Sequence, residues 1–294
     1  LRWTGEKKGP SMHHTATRWK TRFCFCCPVQ VARTIASLHT WAYSVSEDAV
    51  WVNIYGGSRL QTTLPDGTPV RLLQETDYPW GGEVKLTVQE VPDRKMALRL
   101  RIPGWAHGAA VKVNGSAPDV SPEPGSYVRL RRTWEKGDIV TLSLPMRVRL
   151  LEAHPAAENL DGKVAVMRGP VVYCLELPKS MNGAEKWKEG VFLPANIILK
   201  PEHRPGMFGG IMVLKGTALT SEGRKRFRQM NPARLKDEGT WRSDLYREYP
   251  GAPQELEMPG EGTLDITLVP YYAWANRGIS YMEVWMPLAR PRVN

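Results

Sequence analysis

The chain has 294 residues, 42% hydrophobic and 24% charged, which is ordinary globular composition for about two domains. Mean hydropathy is −0.38 and no run of 18 apolar residues occurs, which argues against a membrane-spanning helix and leaves no membrane partner expected. Forty Lys and Arg against 30 Asp and Glu give a formal charge of +10, but the excess is spread: residues 1–50 hold seven basic and three acidic side chains, residues 201–250 ten and six, so no continuous basic stripe or known module supports nucleic-acid binding.

The first residues, Leu1-Arg2-Trp3-Thr4-Gly5, lack the apolar stretch of a signal peptide, and the chain starts without Met. The sequence is therefore expected to begin inside a longer protein. Residues 1–23 are polar and punctuated by Gly5, Gly9 and Pro10, and read as loop. Their adjacent His13 and His14 diverge in most backbone conformations, so the solvated loop is the favoured reading of the pair.

Cys26-Cys27-Pro28 comes next, followed by Val31, Ile35, Leu38 and Ala42. Those apolar positions step by four, three and four, which is one face of a helix expected from about Pro28 to about Tyr43. Proline suits the first helical position, where a missing N–H costs nothing. The cysteine pair then sits at the positive end of the helix dipole, which favours a thiolate. With Cys24 close by, the cluster is no disulfide framework, because such frameworks space their pairs along a short chain. Three readings stay open. The thiols hold a soft metal such as zinc, which takes about four ligands; or one of them is a nucleophile; or they are small packing residues. Cys24, His13 and His14 are the further local ligand candidates.

From Ser44 onward the period becomes two. Val50, Val52 and Ile54 alternate with Trp51, Asn53 and Tyr55, and the same pattern runs through Val84–Val88, Leu98–Ile102, Val111–Val113, Val128–Leu130 and Val140–Leu144. Turn chemistry stands at Pro65-Asp66-Gly67, Asn114-Gly115 and Lys136-Gly137-Asp138. This reads as an antiparallel sandwich over about 44–147. A second β-rich region follows over 148–294, with strands at Lys163–Leu177, Leu264–Val269 and Tyr281–Trp285. Residues 178–262 read as loop-heavy, and the basic knot Arg224, Lys225, Arg226 and Arg228 as a solvated loop. Eleven Trp and ten Tyr against five Phe suit half-wet surfaces, sugar-stacking ones among them, as well as sandwich cores.

Five ordered segments resemble one family. Cys26-Cys27-Pro28 with its helix is similar to the Cys-Cys-Pro motif of the β-L-arabinofuranosidases of glycoside hydrolase family 127. Leu100-Arg101-Ile102-Pro103-Gly104-Trp105-Ala106 with Val113-Asn114-Gly115, then Trp134-Glu135-Lys136-Gly137-Asp138, resemble its first sandwich. Val164-Ala165-Val166-Met167-Arg168-Gly169-Pro170-Val171-Val172-Tyr173 and Pro270-Tyr271-Tyr272-Ala273-Trp274-Ala275-Asn276-Arg277-Gly278 look like its central and C-terminal signatures.

The resemblance implies a mainly β chain. Two jelly-roll-like β-sandwich domains, 44–147 and 148–294, would be preceded by residues 1–43 as the last helix remnant of an (α/α)6 barrel. It implies a retaining hydrolase that releases β-L-arabinofuranose, with Cys26 as nucleophile and zinc ligand, Cys27 as a second zinc ligand, and L-arabinofuranosides as substrates. The acid/base glutamate and the remaining zinc ligands of the family lie well upstream of the cysteine pair, so the chain alone is expected to be inactive. The family commonly has Asn two residues after the motif's proline, where this chain has Gln30. A homodimer is a candidate assembly, and a thiolate nucleophile favours a reducing cytoplasm. The alternative is a non-catalytic sandwich module that binds carbohydrate or buttresses a catalytic barrel.

Overall fold

The computed structural model describes residues 2–3, 26–178, 190–231, 241, 244–251, 256–277 and 280–291. Cys24, His13 and His14 lie outside the described residues. Strand outweighs helix, 46% to 14%, so the chain is mainly β as its period-two segments imply. The described residues form two compact units. One covers 26–147. The other covers 148–291 together with the short strand β1 (Arg2–Trp3), which pairs within it.

The first unit begins with α1 (Cys26–Ala42) and continues through β2 (Tyr43–Ser46), β3 (Ala49–Val52), β4 (Ser58–Thr63), β5 (Pro69–Thr76), β6 (Glu83–Glu90), β7 (Lys95–Arg101), β8 (Ala110–Val113), β9 (Tyr127–Thr133) and β10 (Ile139–Ser143). Two sheets result, β2-β3-β7-β9 and β4-β5-β6-β10-β8. Alternation fills the layer between them. Val50, Val52, Leu98, Leu100, Val128 and Leu130 come from one sheet and Val70, Leu72, Val84, Leu86, Val140 and Leu142 from the other, all in one buried cluster. Pairing is antiparallel except between β3 and β7, which run parallel, a departure from the all-antiparallel reading.

The alternation also breaks earlier than its sequence suggests. Ile54, in phase with Val50 and Val52, is 36% exposed, whereas Tyr55 is buried. The cause is local. The amides of Asn53 and Ile54 both donate to the Ala42 carbonyl at the end of α1, at 2.9 and 3.3 Å, which pulls the chain out of the ladder after Val52. Tyr55 then turns inward and donates its hydroxyl to the Arg101 carbonyl at 2.5 Å. At the Asn114-Gly115 turn both residues take left-handed φ, 50° and 83°, the geometry a tight hairpin needs. The Asn114 amide donates to Asp138 at 2.7 Å, and the Glu135 N–H donates to the same carboxylate at 3.0 Å. Burial raises the Asp138 pKa, but these two hydrogen bonds and the Arg132 charge together outweigh it and hold the carboxyl below its ordinary value.

The second unit contains β11 (Val148–Ala153), β12 (Lys163–Arg168), β13 (Val171–Pro178), β14 (Leu193–Pro194), β15 (Lys200–Arg204), β16 (Ile211–Leu219), α2 (Ser221–Met230), β17 (Tyr246–Glu248), β18 (Thr263–Pro270), β19 (Ser280–Glu283) and β20 (Trp285–Ala289). The main path of the sheet is β14-β20-β12-β13-β18-β16-β15. Phe192, next to β14, exchanges two backbone hydrogen bonds with Leu219 at the end of β16, 2.9 and 2.8 Å. The path thus bends round on itself over a core that includes Val164, Val166, Leu175, Leu214, Leu268 and Met286.

Two expectations for this region are corrected. Residues 178–262 contain β14, β15, β16, β17 and α2 and are not simply loop. The knot Arg224, Lys225, Arg226 and Arg228 lies on α2, not in a solvated loop. Thr220 caps the helix by accepting from the Gly223 N–H at 3.3 Å, and Phe227, one turn on, is fully buried. Arg224 lies 4.5 Å over the Phe192 ring, and Arg226 bonds Glu261 at 2.6 Å.

Leu98 is fully buried in the first unit's core. Leu98→Ala should lower stability by about 2–5 kcal/mol, the usual cost of a leucine-sized cavity, while Ile54→Ala should cost far less although it continues the apolar series of Val50 and Val52. Urea unfolding of both variants checks this.

Candidate functional site

Helix α1 forms because its apolar residues share one face, its first turn tolerates Pro28 without losing a bond, and the first unit closes its far end. That closure is specific. Besides the two amides on the Ala42 carbonyl, the Asn53 side chain donates to the Trp41 carbonyl at 3.2 Å and to the Ser44 hydroxyl at 2.9 Å. Asn53 is itself held by the Tyr127 hydroxyl at 2.9 Å, while the Arg101 guanidinium donates to its carbonyl at 2.6 Å. The C-terminal end of α1 is therefore anchored to the sandwich. The thiol end stands roughly 24 Å away along the helix.

The helix runs Cys26–Ala42, so Cys26 and Cys27 lie within its first turn rather than ahead of it. Both side chains are exposed, neither is in a disulfide, and their Sγ atoms are 3.8 Å apart. Gln30 follows on the next turn and accepts from Arg33 at 3.5 Å. No residue of α1 is buried, and its apolar stripe is open: Ile35 is 64% exposed and Val31 56%.

A zinc ion with Zn–S bonds near 2.3 Å in a tetrahedral site spaces its sulfurs by about 3.8 Å, so the two thiols fit one edge of such a site. Among the described residues no third His, Cys, Asp or Glu joins them in a metal-holding cluster. The pair can supply half of a zinc site, or one nucleophile and one ligand.

Cys174, the remaining described cysteine, belongs to other chemistry. It is fully buried in β13, and its thiol is pushed up to about 12 by burial, with the Glu176 charge adding and Arg277 partly offsetting. It is inert at neutral pH.

The second unit also carries a buried polar node that the sequence reading passed over. Glu176 interrupts the apolar strand Val171–Leu177, and its side chain is 1% exposed. It accepts from the Ala275 N–H at 3.0 Å, from the Ser280 hydroxyl at 3.1 Å and from the Arg277 guanidinium. A lone charge inside an apolar run was the available signal.

Residues 49–146 match the family model described as the GH127 middle domain of β-L-arabinofuranosidase, and residues 148–287 match the glycoside hydrolase family 127 C-terminal domain. The chain is 28% identical over 286 residues to a non-reducing end β-L-arabinofuranosidase of Bifidobacterium longum subsp. longum, covering 94% of this chain and 39% of that protein. A solved structure described as a glycoside hydrolase superposes with a TM-score of 0.77 at 36% identity, covering 99% of this chain and 44% of that one. A GH127 β-L-arabinofuranosidase from Geobacillus stearothermophilus T6 gives 0.73 at 35%, covering 94% and 39%. The chain thus spans less than half the length of these relatives.

Iodoacetamide at pH 8 should alkylate Cys26 and Cys27 and spare Cys174 until the chain is unfolded, because only the first two are accessible and the raised pKa keeps Cys174 a thiol at that pH. Peptide mass mapping before and after denaturation reads the order of modification.

Proposed function

Because this chain belongs to glycoside hydrolase family 127, whose middle and C-terminal domains it carries, we propose that it is the C-terminal part of a retaining hydrolase that releases β-L-arabinofuranose, with Cys26 as nucleophile. The observation that carries the reading is the pair of exposed thiols on the first turn of α1, 3.8 Å apart. The Cys26 thiolate attacks the anomeric carbon of the arabinofuranosyl unit. The glycosidic bond breaks as a general acid protonates the leaving oxygen, and a thioglycoside remains on Cys26. Water then attacks the same carbon from the opposite face, returns the thiolate and releases the sugar with net retention.

Cys26 and Cys27, with further ligands from elsewhere in the complete protein, would hold zinc, which when bound would stabilise the thiolate form. Cys27 has a different task from Cys26. It stays a ligand throughout and keeps its neighbour aimed. The positive end of α1 adds to the same preference for negative charge on sulfur.

The open stripe of α1 supports the domain division. A helix with a contiguous apolar face and no buried residue is built to pack against something. On this reading α1 closes a helical barrel whose other helices cover Val31, Ile35 and Leu38, whereas Arg2–Trp3, expected within the 1–43 barrel remnant and read as loop, forms a strand of the second unit instead. Residues 44–147 and 148–294 are the two sandwiches that follow α1 in the chain. The barrel brings the acid/base carboxylate and the missing ligands, so the 294-residue chain by itself turns over no arabinofuranoside. No carboxylate among the described residues joins the thiols in a metal-holding cluster, and general-acid help alone is worth about 10²–10⁴-fold.

In the full-length enzyme, Cys26→Ser should abolish turnover of an aryl β-L-arabinofuranoside while most of the zinc stays bound. Cys27→Ser should lower zinc content first and activity with it, serine being a harder and much less acidic donor. Metal analysis beside kcat separates the two roles. Near-wild-type turnover and equal metal in both variants would remove the proposal, as would turnover by the isolated chain well above its Cys26→Ala control.

A further inference from the structure

We propose that a cleft on the outer face of the second unit's sheet is a second carbohydrate site, separate from the thiols and shaped for one neutral furanose unit. The cleft has a volume of about 290 Å³. That lies just under the range of roughly 300–1,000 Å³ that holds drug-sized ligands, which limits the occupant to a single sugar ring.

Strand register decides which side chains face it. Leu175 lies opposite Leu268 with both in the core, so Glu176, Thr267 and Asp265 point to the outer face. Lys200, Glu202 and Arg204 lie opposite Lys215, Val213 and Ile211, and these share that face. Arg277 reaches the cleft from beyond β18, and Met207 from the turn between β15 and β16.

The chemistry matches a polyol better than an anion. These cations are already answered: Arg277 by Glu176, Arg204 by Glu202 at 2.7 Å, and Lys215 by Glu202 at 2.7 Å. Of the residues lining the cleft, two carboxylates, Glu176 and Asp265, stand against two cations, Arg204 and Arg277, so its wall has no net charge to attract an anion. It does have fixed donors beside acceptors. The Asp265 Oδ1 accepts from Thr217 at 3.1 Å, which holds the carboxylate for a ligand hydroxyl at its other oxygen. Buried Val213 and half-buried Met207 give an apolar wall for the C–H side of a ring.

Backbone strain gathers at the same place. Among the described residues three non-glycines have positive φ: Asn114, Phe208 and Ala275. Asn114 is accounted for by its hairpin. Phe208, at φ 51°, directly follows the lining residue Met207 in the turn between β15 and β16, and its side chain is 45% exposed. Ala275, at φ 59°, is held by the Glu176 carboxylate on the cleft wall. Residues kept in such conformations cluster where a ligand is gripped.

The choice of arabinofuranose as the sugar rests on the proposed function; the polyol chemistry does not. Calorimetric titration of the 294-residue chain with methyl β-L-arabinofuranoside, methyl β-D-ribofuranoside and malonate tests it. Saturable binding of the arabinofuranoside and none of malonate is expected. Arg204→Ala and Asp265→Asn should each weaken it about tenfold, and Cys26→Ser should leave it unchanged. Thermal melts of both variants separate a loss of binding from a loss of folding. No saturable binding of either sugar, preferential binding of malonate, or binding lost in Cys26→Ser yet kept in both cleft variants would overturn the site. Binding of the ribofuranoside alone would uphold the cleft and count against arabinofuranose. Failure of turnover in the full-length enzyme leaves the cleft titration unaffected.

Discussion

A carboxylate shut inside an apolar strand has to be answered by donors, and answering Glu176 organises much of the second unit. An ionised group left unpaired in that position would carry a desolvation penalty of several kcal/mol. Three donors remove it: a backbone amide at Ala275, a hydroxyl at Ser280 and a guanidinium at Arg277. Each comes from the chain after β18, so one side chain on β13 fixes where three later residues must be. The left-handed Ala275 is the local consequence, because its N–H reaches Glu176 Oε1 from that conformation. Cys174 shows the same field from the other side. Two residues away on the same face, its thiol is pushed up to about 12 by burial, and the carboxylate charge adds to the shift.

The two kinds of cysteine in the chain therefore differ by environment, not by residue type. Cys174 sits where ionisation is opposed by low dielectric and a neighbouring negative charge. Cys26 and Cys27 sit in water at the positive end of a helix. Adjacent residues on a helix cannot both point along one line, but their sulfurs can come within the span of one soft metal, and here they do. On the proposed reading one thiol attacks while its neighbour stays a ligand, and a 3.8 Å separation within one helical turn is compatible with that division.

Most of the fold was legible because alternation is a strong signal when one face is buried. Val84, Leu86 and Val88, or Leu98, Leu100 and Ile102, announce both strand and facing, and their burial follows. The failures have equally physical causes. Ile54 continued the pattern on paper, but the Ala42 carbonyl ending α1 took the next two amides and reversed the phase. The helix α2 hid because its sequence, Ser-Glu-Gly-Arg-Lys-Arg-Phe-Arg-Gln-Met, shows little but charge, while a cap at Thr220 and one buried ring at Phe227 hold it. The parallel pairing of β3 with β7 leaves no mark in either strand. Of the candidate site, the cysteine pair and its helix were visible; the Glu176 node was not, since its partners lie about a hundred residues further along.

Helix α1 joins packing to chemistry. Its C-terminal end is tied down by Asn53 and Ile54, which fixes one point on its axis. The stripe of Val31, Ile35 and Leu38 needs a covering surface, and burying such side chains is worth about 1.5–3 kcal/mol each. On the proposed reading, the covering helices fix a second point, and two points determine the direction in which the first turn aims its thiols. The free energy that closes the barrel over the stripe then also sets the position of Cys26 against the sugar. A nucleophile misplaced by an ångström loses much of its advantage. Apolar residues two and three turns from the sulfur thereby act on the reaction without touching substrate.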